Sequence, residues 1–119
     1  MPAMRILLAE DEQTVARLIT RVLASMGHEV IGVTSCSEAI ASLSADGFDL
    51  VLLDLHLTDG DGYRVVDAIG CLQGVAPRVV VMTGERYPED DPRAALVAGI
   101  LRKPFDIDDL EQVVIRFGT

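Results

Sequence analysis

Four short apolar runs of this sequence each end in side chains that can do chemistry. In chain order these side chains belong to Glu10, Asp11, Glu12, Asp54, Thr83 and Lys103. Carboxylates within a few ångströms of one another need a compensating cation, and an all-oxygen set suits Mg²⁺, which leaves positions open for phosphate oxygens. An ammonium and a hydroxyl beside them would help to stabilise a phosphoryl group during transfer. A carboxylate can itself accept that group, and Asp54 is the candidate acceptor.

Lys103 is the only lysine among the ten basic residues, and it immediately precedes Pro104. A bias toward arginine is most simply a coding bias. One lysine therefore indicates a position where a compact ammonium does what a planar guanidinium cannot. The alternative interpretation is that a single lysine arises by chance. The functional interpretation requires other residues of the chain to pair with Lys103, and the chance interpretation does not.

The apolar runs read as strands that alternate with amphipathic helices. Strands are predicted at residues 5–9, 29–34, 50–53, 78–82 and 100–103. Five helices are predicted: one ending at Gly27, one capped by Ser37, one over 65–72, a short one over 93–98 after the cap Asp91 and Pro92, and one after the cap Asp106.

Residues 50–53 contain no polar side chain, as expected of a parallel strand that is buried on both faces. The alternation of strands and helices predicts a three-layer α/β fold with a parallel sheet. In such folds the functional crevice lies beyond the carboxyl ends of the strands. The reactive residues listed above should therefore meet at one edge of the sheet.

The amino-acid composition limits which classes of protein this chain can belong to. The 119 residues, half of them hydrophobic, predict a single domain over 1–119, and the net charge of −9 argues against direct binding to nucleic acid or an anionic membrane. No apolar run approaches the roughly 18 residues of a membrane span. Cys36 and Cys71 fall in different predicted helices and are read as free thiols. With no recognisable leader, a cytoplasmic location is expected.

As a set, four motifs resemble the receiver domain of bacterial two-component response regulators, over nearly the whole chain. LLAEDE resembles the acidic pocket, with Glu10 and Asp11 in the pair positions, and VLLDLHLTDGDG resembles the phosphoacceptor segment, with Asp54 as acceptor and Gly62 at the expected glycine. VVVMTG resembles the strand that carries the phosphate-binding hydroxyl. RKPF resembles the family's lysine followed by proline.

The resemblance implies a flavodoxin-like, doubly wound (βα)5 fold with strand order 2-1-3-4-5 and helices on both faces. It implies that Asp54 accepts a phosphoryl group from a histidine kinase or histidine phosphotransferase, assisted by Thr83 and Lys103. Mg²⁺ would be bound by Asp11 and Asp54, by Glu10 mainly through water, and by the backbone carbonyl of His56. A cis bond before Pro104 is also implied. The protein would then be a self-modifying switch rather than a turnover enzyme.

Three features depart from the family pattern. Thr58 stands where proline is usual, which predicts a less rigid loop. Ile100 replaces the common Tyr or Phe three residues before the lysine, and the fourth helix is short after a polar loop at 85–91. We therefore hypothesise a modified output face, formed by the predicted fourth helix, fifth strand and fifth helix.

The main alternative is a receiver-like interaction module that works without phosphorylation. A calcium loop over 59–62 is disfavoured because the first and twelfth ligand positions fall on Leu57 and Ala68, and a flavin site is disfavoured by the acids after the first strand. His28 and His56 are both expected to be exposed to solvent. An output domain, a partner protein or a homodimer is allowed by the resemblance, which identifies neither the cognate kinase nor the signal.

Overall fold

A computed structural model describes residues 2–84 and 90–117 of the chain. The strands are Arg5–Ala9 (β1), Glu29–Val33 (β2), Leu50–Asp54 (β3), His56–Leu57 (β4), Gly60–Asp61 (β5), Arg78–Thr83 (β6) and Gly99–Arg102 (β7). The α-helices are Gln13–Ser25 (α1), Cys36–Ala45 (α2), Tyr63–Gly70 (α3) and Ile107–Phe117 (α4). A 3₁₀ helix spans Pro92–Leu96.

Five of the strands form one parallel sheet in the order β2-β1-β3-β6-β7. The short strands β4 and β5 form a separate antiparallel hairpin. Counted without that hairpin, the order is the expected 2-1-3-4-5, so the predicted fold class is confirmed. All five residues of β3 are buried, which explains why its sequence lacks the alternation of a half-exposed strand.

Alternate residues of the central strands enter two separate cores, one on each face of the sheet. Leu7 and Val51 belong to the core that α2 and α3 cover. Leu8 and Leu52 belong to the core that α1 and α4 cover. Helices cover both faces of the sheet, so residues within the central strands are buried. Polar residues therefore occur where the strands end, since the helices do not cover those ends.

The prediction of five α-helices was wrong in one place. The predicted helix at 93–98 is a 3₁₀ helix, although it begins as expected, with the Asp91 carboxylate accepting from the Arg93 amide and Pro92 in its first turn. Only a few residues separate this start from β7, which leaves little room for a longer helix. The loop predicted at 85–91 lies largely outside the described residues, which resume at 90.

The cap predicted for the second helix was also wrong by two residues. Ser35 is the N-cap of α2, and its hydroxyl accepts a hydrogen bond from the amide of Glu38. The reason is that the helix starts at Cys36, which leaves Ser37 inside the first turn. The hydroxyl of Ser37 instead donates to Asp59, 2.9 Å away.

His28 is buried, in contrast to the solvated side chain that we expected. Its Nδ1 accepts a hydrogen bond from the backbone amide of Met4 at 3.0 Å, which ties the turn after α1 to the residue that precedes β1. Gly27 permits this turn because its φ is 90°, a conformation that favours glycine.

Both cysteines are free thiols, as predicted; Cys36 is buried and Cys71 is exposed. Among residues 2–84 and 90–117, no helix is long and apolar enough to cross a membrane.

Candidate functional site

Three carboxylates converge where β1 and β3 end. Glu10, Asp11 and Asp54 each offer an oxygen, and these oxygens all lie within 4.8 Å of one another. Their approach follows from the sheet, because β1 and β3 are parallel neighbours and end at the same edge. Glu10 and Asp54 are buried and Asp11 is half-buried. Glu12, which the sequence placed beside them, is exposed and is not a member of this cluster.

Lys103 lies between two of these acids. Its Nζ is 2.5 Å from Oε1 of Glu10 and 3.2 Å from Oδ2 of Asp54. The contact with Asp54 agrees with the sequence prediction, and the shorter contact with Glu10 was not anticipated. The backbone amide of Lys103 donates to the carbonyl of Thr83, and the bond to Pro104 is cis, as the resemblance implied. Lys103 therefore has the carboxylate partners that the functional interpretation of this lysine requires.

The acids and the lysine alter one another's protonation. Burial, reinforced by the neighbouring Asp54, raises the pKa of Glu10 to about 7, although Lys103 opposes the shift. Burial opposes the charge of Lys103, yet its contacts with Glu10 and Asp54 outweigh that cost and raise its pKa. Without a further cation, the site therefore holds more carboxylate charge than one ammonium balances.

Thr83 is buried at the end of β6, between the ends of β3 and β7. The parallel register sets Met82 beside Asp54 and Thr83 beside Arg102. The hydroxyl that the sequence assigned to phosphate binding is therefore at the same sheet edge as the acids.

The segment after β3 turns back sharply toward Asp54. The backbone amide of His56 donates to Oδ1 of Asp54 at 2.9 Å, and the side chain of His56 is exposed, as expected. A Cβ at Gly62 would lie 2.5 Å from the backbone oxygen of Asp54 and 2.9 Å from the Cα of Leu55. Only glycine therefore fits where the returning chain crosses the end of β3.

Sequence reasoning missed Asp59, whose carboxylate accepts hydrogen bonds from the first residues of α2. The hydroxyl of Thr58 donates to the carbonyl of Thr34 at 3.2 Å. The loop expected to be less rigid is thus tied to the rest of the domain by two side chains. The spacing of Asp59 from α2 gives no local signal, because the contact spans more than twenty residues along the chain.

Sequence comparison assigns the same class of domain. A family model described as the response regulator receiver domain matches residues 6–115. The chain is 33% identical over 109 residues to the KDP operon transcriptional regulatory protein KdpE of Escherichia coli, covering 89% of this chain and 47% of KdpE. It is 34% identical over 109 residues to the transcriptional regulatory protein TcrA of Mycobacterium tuberculosis, covering 89% of this chain and 42% of TcrA.

Solved structures agree with the fold. A CheY-like response regulator receiver domain from Methylobacillus flagellatus is 27% identical, with a TM-score of 0.83 and coverage of 98% of this chain and 99% of that one. The receiver domain of the sensor histidine kinase PA1611 from Pseudomonas aeruginosa PAO1, solved with magnesium in its active-site cleft, is 24% identical and has a TM-score of 0.85, with 98% coverage of each chain.

The chain is a receiver domain and belongs to the response regulator receiver family of two-component systems. It spans less than half the length of the two transcriptional regulators to which it is similar. Receiver domains of this family pair with histidine kinases. This chain has its acidic cluster after the first and third strands of the sheet.

Proposed function

We propose that Asp54 accepts a phosphoryl group from a phosphohistidine on a partner protein, and that this modification switches the surface that the domain presents. The observation that carries the proposal is the contact of Lys103 with the buried carboxylate of Asp54 at the end of the central strand. A cation that contacts a buried carboxylate at the end of a strand can pair with that carboxylate before phosphorylation and with the larger phosphoryl anion afterwards.

The donor set fits Mg²⁺. Three carboxylates whose oxygens lie within 4.8 Å form an all-oxygen cluster, and one lysine does not balance their charge. Asp11 and Asp54 would bind the ion directly, Glu10 mainly through water, and His56 through its backbone carbonyl. When bound, Mg²⁺ supplies positive charge that stabilises the transferring phosphoryl oxygens.

The residues of the chain have distinct tasks in the transfer. One carboxylate oxygen of Asp54 attacks phosphorus; a P–O bond forms, the P–N bond to the donor imidazole breaks, and the imidazole leaves with the bonding electron pair. Lys103 faces the phosphoryl oxygens and offsets their charge. The hydroxyl of Thr83 donates a hydrogen bond to them. Because Asp54 is itself the substrate, the domain acts as a switch rather than as a turnover enzyme.

A cavity beside the site is suitable for the donor protein. It has a volume of about 360 Å³ and is largely apolar; its lining comprises Glu12, Val15, Leu18, Lys103, Pro104 and Phe105. Lys103 connects this cavity to Asp54, so a histidine kinase or histidine phosphotransferase docked here would lie next to the acceptor. Such a donor and two free thiols fit a cytoplasmic location.

We further propose that the output face differs from that of typical relatives. Ile100 is half-buried on β7 and packs against the core that α2 and α3 cover, where it cannot hydrogen-bond as a tyrosine would. The 3₁₀ helix is held by Arg93, which bonds to Asp91 and Asp67.

Intact-mass measurement after incubation with acetyl phosphate or phosphoramidate and Mg²⁺ tests the phosphorylation. We expect one added phosphoryl group on the wild type and none on Asp54→Ala. The matched control is Asp67→Ala, which removes a carboxylate outside the cluster. No added mass on the folded wild type under any condition would instead favour the phosphorylation-independent module.

A further inference from the structure

The hairpin formed by β4 and β5 is anchored at its tip as well as at its base. Thr58 and Asp59 are its two turn residues, since Leu57 pairs with Gly60. The hydroxyl of Thr58 donates to the carbonyl of Thr34, at the end of β2. Thr58 therefore reaches the segment that joins β2 to α2, and Asp59 reaches the first residues of α2.

Asp59 makes the stronger anchor. Its Oδ1 accepts from the backbone amide of Cys36 at 2.7 Å, and its Oδ2 accepts from the amide and hydroxyl of Ser37 at 3.1 and 2.9 Å. The first amides of a helix have no acceptor within the helix, and a carboxylate there also interacts favourably with the helix dipole. The hydrogen bonds from Cys36 and Ser37 hold the pKa of Asp59 well below its usual range.

The N-cap of α2, Ser35, accepts only from the amide of Glu38, so Asp59 adds to that cap from outside the helix at the amides of Cys36 and Ser37. Arg64 adds a further hold on the tip, since its Nη1 donates to the backbone oxygen of Asp59 at 3.2 Å and lies 3.9 Å from its Oδ2. The tip of the hairpin is therefore fixed to α2 through Asp59 and to α3 through Arg64.

The base of the same hairpin contains His56. Its amide is fixed by Oδ1 of Asp54, and its backbone pairs with Asp61. A hairpin held at both ends leaves the carbonyl of His56 little freedom of position.

We propose that Asp59 is a positioning residue: by binding the start of α2 from outside the helix, it holds the carbonyl of His56 in place for Mg²⁺. This inference rests on the proposed function, because it assumes that the acidic cluster binds Mg²⁺. Thr58 lacks the ring with which a proline would restrict the backbone of the turn. Hydrogen bonds made by the residues at the tip of the hairpin restrict it instead.

The test compares Asp59→Ala with Ser35→Ala, since both remove a side-chain cap from the same helix and only the first releases the hairpin. Mg²⁺ dissociation constants are measured from amide chemical shifts of ¹⁵N-labelled protein, and thermal unfolding is measured in parallel. We expect both variants to lower the melting temperature. Asp59→Ala should weaken Mg²⁺ binding about 10-fold, as loss of a residue supporting a metal ligand typically does.

Equal Mg²⁺ affinities for Asp59→Ala and Ser35→Ala would show that Asp59 is only a helix cap, and would overturn the inference while leaving the proposed function intact. A wild type that does not bind Mg²⁺ would overturn both. Asp59→Asn guards against a failure to fold, because its amide oxygen can still accept from Cys36 but its nitrogen cannot accept from Ser37. We expect Asp59→Asn to weaken Mg²⁺ binding by about 3-fold, less than Asp59→Ala, because the hydrogen bond from Cys36 is kept and the two that Oδ2 accepts from Ser37 are lost. An unchanged Mg²⁺ affinity would count against the proposal.

Discussion

Two cations of this domain lie between pairs of carboxylates, at opposite ends of the same sheet. At the carboxyl end, Lys103 contacts Glu10 and Asp54, whose side chains are 0% and 9% exposed. At the amino end, Arg5 lies between two acids as well. The charge patterns are alike, but the surroundings are not.

The acids beside Arg5 are Glu29 at 3.3 Å and Asp46 at 3.4 Å, and their side chains are 63% and 51% exposed. The guanidinium of Arg5 also stacks over the ring of Phe48, 5.1 Å from its centroid. Water solvates the two carboxylates whether or not they pair with Arg5, so the cluster stabilises the fold weakly. Burial, rather than the pattern of charge, separates a reactive cluster from a structural one.

Replacing Lys103 should have the largest effect. Lys103→Met keeps the length of the side chain and removes its charge, which leaves Asp54 and Glu10 without their cation. We expect phosphorylation by acetyl phosphate to slow by about 100-fold, as when an electrostatic stabiliser of a transition state is lost. Time-resolved intact mass measures this rate.

Lys103→Arg is the matched control, because it keeps the charge in a larger, planar group. We expect its Mg²⁺ affinity to change little and its surface response to a phosphoryl mimic to be impaired. If Lys103→Met were phosphorylated at the wild-type rate, Lys103 would have no role in the reaction, and its being the single lysine would be due to chance.

The two ends should also respond to pH in opposite directions. The folded pKa of Glu10 is raised from 4.5 to about 7, so its contribution to stability is fully present below pH 4.5 and is lost as pH rises through 7. In the absence of Mg²⁺ we expect the free energy of unfolding to fall by roughly 2 to 3 kcal/mol over that range. Glu10→Gln should remove this slope in urea unfolding.

The contribution of His28, at the amino end of the sheet, to the free energy of unfolding changes with pH in the opposite direction. Burial lowers its pKa from 6.5, because the charged form would lose water. Its contribution is therefore fully present above pH 6.5 and is lost as pH falls through the folded pKa. His28→Asn keeps an acceptor for Met4 without titrating in this range, and it should flatten the acid limb. An unchanged acid limb would exclude His28 as its source.

Arg5→Gln should have the smallest effect. Because the pairs with Glu29 and Asp46 are exposed, we expect a loss of less than about 1 kcal/mol in the free energy of unfolding, diminishing at high salt. Urea unfolding at two salt concentrations measures it. A large loss in the free energy of unfolding that does not depend on salt would contradict the contrast between a buried charge cluster at the carboxyl end and an exposed one at the amino end.

The sequence predicted the carboxyl end well, because a parallel sheet obliges its strand ends to meet. Glu10, Asp54 and Thr83 each directly follow a run of buried residues, and Lys103 directly follows β7. The order of the strands then brings these four residues together. No knowledge of side-chain packing was required to bring them together.

The amino end and the hairpin were predicted poorly for the same physical reason. His28 follows a glycine turn, which is typical of solvent exposure, yet it is buried and accepts a hydrogen bond from the distant amide of Met4. Asp59 reads as a turn residue until α2 is positioned against it. Such contacts join segments that no periodicity relates, so propensity cannot anticipate them.

The contact between Lys103 and Glu10 spans 93 residues of the chain. Contacts this distant in sequence carry a large loop-closure cost and are slow to form. During synthesis, β1 and β3 emerge long before β7, so the growing chain carries the acids without the lysine. The site can therefore acquire its lysine only when the last strand docks, which makes assembly of the reactive centre a late step of folding.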